Sequence, residues 1–168
     1  IAAVVVAVGE GFVEMFRSLG AAVIVSGGHT MNPSTEDLLR GVEEAPSQQV
    51  LLLPNNGNIL LAAQQVCLLT SKQVTVVPTR NLAEGVAALL ALNYEADLPT
   101  NARRMEQACR ALRSAEMTRA VRNAKIDRLR VRRGDVIGLI GGHIVSVGPD
   151  NLTVARDLLA RLDAERHE

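Results

Sequence analysis

The chain has 168 residues, 48% of them apolar and only 2% aromatic, and its 18 basic side chains balance its 18 acidic ones. This composition excludes an intrinsically disordered chain, and no apolar run approaches the ~20 residues of a membrane-spanning helix. Two unspaced cysteines argue against a disulfide framework or a zinc site and favour a reducing compartment, the cytoplasm. The chain opens without Met inside an apolar run, so we expect it to be part of a longer polypeptide.

Charge is distributed unevenly along the chain. Residues 1–101 carry four basic and nine acidic side chains, whereas residues 102–168 carry fourteen basic and nine acidic ones. The excess lies in Arg103–Arg133, where eleven basic residues meet three acidic ones. This stretch is either a solvated, ion-paired surface or an electrostatic docking face for an acidic protein. The first candidates for such a face are Arg103, Arg110 and Arg128.

Apolar runs alternate with helical patterns in residues 1–98. Strands are predicted at Ala2–Val8, Ala22–Val25, Val50–Leu53 and Val74–Val77. Each is followed by a segment with helical apolar spacing, and Ser34 and Asn81 are predicted N-caps because Asp37 and Glu84 stand three residues on. Short, fully apolar strands separated by helices predict an α/β fold, with a parallel four-stranded sheet flanked by helices.

Residues 99–168 have a different pattern. A helix is predicted after Pro99 and a closing helix after Asp150. Between them, strands are predicted at about Glu116–Val121, Arg128–Val131, Val136–Ile140 and His143–Val147. The dipeptide Gly141-Gly142 predicts a tight hairpin between the last two. An antiparallel region thus extends the parallel half, and we expect both parts to form one compact domain.

Ligands of parallel α/β sheets collect at the carboxyl ends of the strands, where the loops of this chain are rich in polar residues. The candidate binding residues are Ser26, Gly27, Gly28, His29, Thr30, Asn32, Ser34, Asn55, Asn56, Asn58 and Thr79. Helix N-termini at this edge favour anions, but the same residue types are also typical of caps and turns. No motif places a nucleophile beside His29 or gathers metal ligands, so we predict neither a catalytic residue nor a metal site. Cys67 and Cys109 are typical of small core residues.

Several segments resemble one protein family. They are Ala22–Leu38, which contains Ser-Gly-Gly-His-Thr-Met-Asn-Pro-Ser-Thr, then Leu53–Ile59, Val77–Arg80, Gly85–Leu92 and Gly134–Gly138. Together they resemble the C-terminal region of dihydroxyacetone-kinase-related proteins, the ATP-binding subunit of bacterial fatty acid kinase. The resemblance implies a DegV-like sheet, in which Thr30–Ser34 corresponds to a loop whose hydroxyls help to hold a fatty acid carboxylate in DegV-type proteins.

The resemblance also implies a function. The chain would be a non-catalytic docking domain for a DegV-type fatty-acid-binding protein, whose acyl carboxylate is phosphorylated at a distant ATP site. ATP and magnesium would bind an upstream kinase domain, joined by a linker domain, and a homodimer is possible; no nucleic acid or membrane span is expected. The alternative is a small-molecule enzyme or a carboxylate- or phosphate-binding domain that uses His29, Thr30, Asn32 and Asn56. Both remain open.

Overall fold

A computed structural model describes residues 1–27, 31–126 and 129–164 of the chain. They form two compact units, Ile1–Leu112 and Arg113–Glu168. The strands of the first unit are β1 (Ala2–Ala7), β2 (Ala21–Ser26), β3 (Gln49–Leu53) and β4 (Gln73–Val76). Its α-helices are α1 (Glu10–Ser18), α2 (Thr35–Glu44), α3 (Leu60–Leu69), α4 (Leu82–Leu90) and α5 (Leu98–Ala111).

The four strands pair in parallel in the order β2-β1-β3-β4. Every residue of β1 is buried, because helices cover both faces of the sheet. Side chains alternate between the two faces, so that Leu51 and Leu53 pack with Met105 of α5, while Leu52 packs with Leu38 of α2. The predicted parallel sheet flanked by helices is confirmed.

The helix starts depend on side-chain caps. The Ser34 hydroxyl accepts a hydrogen bond from Asp37 N at 3.1 Å, and Ser34 N donates to the Asp37 carboxylate at 3.0 Å, as predicted for α2. Hydrogen bonds from the side chain and backbone of Ser34 lower the pKa of Asp37. Asn81 likewise accepts from Glu84 N at 2.9 Å and caps α4. Both helix starts are confirmed.

The second unit contains β5 (Ala115–Arg119), β6 (Ala124–Ile126), β7 (Leu129–Val131), β8 (Val136–Ile140), β9 (His143–Gly148) and α6 (Asn151–Ala164). A three-stranded antiparallel sheet, β5-β8-β9, packs against Val154 and Leu158 of α6. The Gly141-Gly142 hairpin is confirmed, because both glycines have positive φ angles, 59° and 81°, as a tight hairpin turn requires.

Some predicted element bounds differ from the structure. The strand predicted over Glu116–Val121 ends at Arg119, because Ala120 N leaves the ladder and donates to Asp135 O at 2.9 Å. The short strand β6 was not predicted, since its three residues are too few to show an alternating pattern. Helix α5 begins at Leu98, with Pro99 in its first turn, and packs with α4 in the first unit. In the described parts of the chain, none of the helices has the length and apolarity to cross a membrane.

Asn101, which has no exposed surface, ties the start of α5 to the preceding loop. Its amide nitrogen donates to Asn93 O at 2.8 Å, Ala96 O at 3.0 Å and Asp97 O at 3.2 Å. Its amide oxygen accepts from Asn93 N at 2.8 Å. A buried backbone group that loses such a partner costs about 1–3 kcal/mol.

Asn101→Leu should therefore lower the free energy of unfolding by about 3 kcal/mol, since it leaves several backbone groups unpaired. Chemical denaturation followed by circular dichroism measures this change. Gln107→Leu, at a partly exposed position of the same helix, is the matched control and should change stability by less than about 0.5 kcal/mol. Equal effects of the two substitutions would contradict a structural role for the Asn101 network.

Candidate functional site

Four loops meet at the carboxyl edge of the parallel sheet, because β1 to β4 all run in the same direction. In spatial order they follow β2, β1, β3 and β4. The chain leaves β1 toward β2 on one side and reaches β3 on the other, so the loops after β1 and β3 flank the switch point at which α/β proteins commonly bind ligands. We call this region the polar edge.

Asn55 is the central residue of the polar edge. Its amide nitrogen donates to Val6 O of β1 at 3.0 Å, and its backbone N donates to the Thr79 hydroxyl at 2.9 Å. Its φ angle is +54°, a left-handed conformation that Asn tolerates better than most residues. Asn55 therefore links the loops after β3 and β4 to β1, and both Asn55 and Thr79 are buried.

The amide oxygen of Asn55 is buried without a hydrogen-bond partner. It lies against Gly85 of α4, where any Cβ would collide with the Asn55 side chain. A small cleft of about 30 Å³ borders Asn55 and is lined mainly by apolar groups, including those of Val6, Val8 and Leu82. This volume is enough for about one water molecule and too small for an organic ligand.

Asn56 connects two neighbouring loops. Its amide nitrogen donates to the side-chain oxygen of Asn32 at 2.9 Å, and its own oxygen accepts from Asn58 N at 2.9 Å. Asn56 is buried, whereas Asn32 and Asn58 are exposed. The structure thus brings Asn32, Asn56 and Asn58 together, as the sequence led us to expect of residues at one sheet edge.

The remaining candidates of the polar edge have different environments. Ser26 is exposed at the end of β2, and Ser34 caps α2. Gly27 is buried with its N donating to Ala7 O at 3.2 Å, and a Cβ there would lie 2.5 Å from Pro33. The candidates Gly28, His29 and Thr30 lie outside the described residues.

Two of the three candidate docking arginines lie on α5. Arg103 and Arg110 are both exposed, and Arg110 pairs with Glu106 at 3.2 Å. Arg128 lies outside the described residues. The structure adds a feature that the sequence did not indicate: a cleft of about 270 Å³ brings Arg110 and Glu106 beside Arg80 and Glu84 of the β4–α4 segment. No sequence motif links these residues, because they come together only through the packing of α5 on α4.

The thiols are not activated for nucleophilic chemistry. Cys109 borders the 270 Å³ cleft, and burial, together with the nearby Glu84 and Glu106 carboxylates, raises its pKa to about 11. Burial also raises the pKa of Cys67. Within residues 1–27, 31–126 and 129–164, no three His, Cys, Asp or Glu side chains are grouped to hold a metal ion.

The fold and the polar edge define an α/β domain with a parallel-sheet edge suited to recognition and without an assembled catalytic group among the described residues. Over residues 2–168 the chain matches the FakA-like C-terminal domain family of fatty acid kinase. It therefore belongs to this family.

Curated relatives agree with this assignment. The chain is 38% identical over 165 residues to Protein YloV of Bacillus subtilis (strain 168), covering 98% of this chain and 30% of that protein. It is also 38% identical over 167 residues to uncharacterized proteins of Staphylococcus aureus strains USA300 and NCTC 8325 / PS 47, covering 99% of this chain and 30% of each relative. The chain thus spans about 30% of the length of these relatives.

The raised pKa values predict slow thiol alkylation. At pH 8, a thiol with a pKa of about 11 is ionised in about one molecule in a thousand, and the thiolate is the nucleophile. Iodoacetamide should therefore modify Cys109 far more slowly than free cysteine at pH 8, with the rate rising steeply toward pH 11, as peptide mass spectrometry would measure. Complete modification within minutes at pH 7 would contradict the described environment.

Proposed function

We propose that this domain is the docking module of a two-component fatty acid kinase in the cytoplasm. It would receive a DegV-type fatty-acid-binding protein, so that the acyl carboxylate held by that protein is phosphorylated at an ATP and magnesium site elsewhere in the kinase. Membership of the FakA-like family of fatty acid kinase supports the kinase context. The finer roles of docking, of a DegV-like sheet and of possible dimerisation belong to the proposal.

The observation that supports docking most is the construction of the polar edge. Its buried members, Asn55 and Thr79, hold the loops through hydrogen bonds, while neighbouring side chains are exposed. Val8, Phe12 and Met31 have 51%, 44% and 74% of their surface exposed. A rigid polar base beside exposed apolar side chains is typical of a surface that another protein covers.

The alternative of carboxylate or phosphate binding receives less support from the described residues. The N-termini of α2 and α4 attract anions, but the carboxylates of Asp37 and Glu84 already accept backbone hydrogen bonds there. The unpartnered oxygen of Asn55 is an acceptor, and an acceptor repels an anion. We therefore favour a protein partner over a small anionic ligand.

Substitutions at exposed positions of the polar edge test docking. Met31→Glu and Asn32→Ala should each weaken binding of the DegV-type fatty-acid-binding protein by about tenfold or more, because they place a charge in the contact or remove a polar contact. Surface plasmon resonance measures the binding. Leu68→Glu is the matched control for Met31→Glu, since Leu68 is 86% exposed near the end of α3 that lies away from the polar edge.

Thermal melting accompanies these measurements. The two edge variants should melt close to the unmodified chain, since both side chains are exposed. Equal loss of affinity in Leu68→Glu, or unchanged affinity in both edge variants, contradicts docking through the polar edge. Calorimetry that detects micromolar ATP binding to this chain would contradict its non-catalytic role.

The α5 arginines provide a separate test of electrostatic steering. Arg103→Glu and Arg110→Glu should lower the association rate with the same fatty-acid-binding protein more than they raise the dissociation rate. The association rate should also fall with added salt, because the Debye length is about 10 Å at 0.1 M. Arg161→Glu on α6, where Arg161 pairs with Asp157 at 3.1 Å, is the control. Kinetics that do not change with salt or with the α5 reversals would assign these arginines to the solvated surface.

A further inference from the structure

The second unit contains a two-stranded ribbon that the proposed docking function does not use. β5 pairs with β8 as far as Arg119 opposite Val136. Beyond that point Ala120 bonds to Gly134 and Asp135, and then β6 pairs with β7. We call residues 119–126 and 129–136 the basic ribbon.

Six side chains of the basic ribbon are exposed cations. They are Arg119, Arg122, Lys125, Arg130, Arg132 and Arg133. The one carboxylate of the ribbon, Asp135, accepts a hydrogen bond from Arg132 N at 2.8 Å. Ion pairs in the described parts of the chain join other residues, and none of the six cations takes part in them. The positive charge of the ribbon is therefore not neutralised locally, in contrast to Arg110 on α5, which pairs with Glu106.

The outer part of the ribbon has two unlike faces. Lys125 lies directly opposite Arg130 in the β6–β7 ladder, and two like charges at such a position destabilise a hairpin. The alternate pair, Ala124 with Val131, belongs to the other face, and Val131 is only 4% exposed. One face is thus anchored by burial, while the other presents adjacent cations at a cost in stability that an anionic partner would offset.

The surroundings of these cations indicate the kind of partner. The clefts described above belong to the first unit, as do all three aromatic residues, so the described part of the ribbon offers no pocket and no stacking ring for bases. Protein interfaces depend on apolar or aromatic anchors at their centre, and the Lys125–Arg130 pair provides none. Apolar side chains lie instead beside the cations: Val121 is 83% exposed and Met117 46%.

We propose that the basic ribbon binds the surface of a bilayer rich in anionic phospholipid. A layer of phosphate headgroups neutralises cations spread over a flat surface, and each Lys or Arg near such a layer strengthens binding about fivefold. Val121 beside Arg122 would enter the interfacial region, as apolar side chains of peripheral proteins do. This surface and the proposed docking surface share no residue.

Vesicle sedimentation tests this proposal. The purified chain should bind vesicles of equal parts phosphatidylglycerol and phosphatidylcholine at about 0.1 M salt, but not vesicles of phosphatidylcholine alone, and should be released as salt screens the charges. Lys125→Gln with Arg130→Gln should lower the partition coefficient about twentyfold, since two cations are lost. Arg103→Gln with Arg110→Gln on α5 removes the same charge and should leave binding nearly unchanged.

Several outcomes would overturn the proposal. One is absence of binding to the anionic vesicles, and another is an equal loss in the ribbon and α5 variants. Ribbon-dependent binding to duplex DNA or to the fatty-acid-binding protein, without vesicle binding, would assign the ribbon to that partner instead. Circular dichroism of each variant establishes that it is folded. The vesicles contain no protein, so a failure here is distinct from a failure of the docking experiment.

Discussion

The burial of β1 on both faces is the constraint on which the first unit depends. All six of its side chains are covered and its backbone pairs with β2 and β3, so it leaves no room for a polar side chain within the sheet. Polar chemistry is therefore displaced to the ends of the strands. Asn55 illustrates the result: it lies just beyond β3 and bonds back to β1 through Val6 O. The same packing that excludes polar groups from the sheet thus holds the polar edge in place.

Much of this arrangement follows from local sequence patterns. Apolar runs of about four to seven residues predict the parallel strands, and the Ser34 and Asn81 caps mark two helix starts because their hydrogen bonds are made within one turn. The closeness of Asn32 and Asn56 also follows, since parallel strands end at one edge. The 270 Å³ cleft does not follow, because Arg80 and Arg110 meet only when α5 packs on α4. The strand β6 escapes for another reason: its partner β7, rather than its own composition, stabilises it.

The two units place their recognition chemistry differently. The polar edge of the first unit is held by buried hydrogen bonds, so its exposed side chains are presented with little freedom to rearrange. The basic ribbon of the second unit presents long, flexible cations on a short ladder of three residue pairs. A preorganised surface favours a partner of fixed shape, whereas mobile cations suit a partner whose charges can rearrange. This difference is consistent with a protein contact at the polar edge and a lipid contact at the ribbon.

The order of the parallel strands also has a consequence for folding kinetics. β1 must find β3 across a long separation, since Ala2 pairs with Val50, whereas β6 and β7 are neighbours in sequence and Ala124 pairs with Val131. Closing a long loop costs chain entropy before any contact offsets it, so pairings distant in sequence form late. The antiparallel ladders should therefore form before the parallel sheet. Until β1 and β3 are joined, their apolar side chains are exposed to water, and this interval is the one in which the chain is most prone to aggregate.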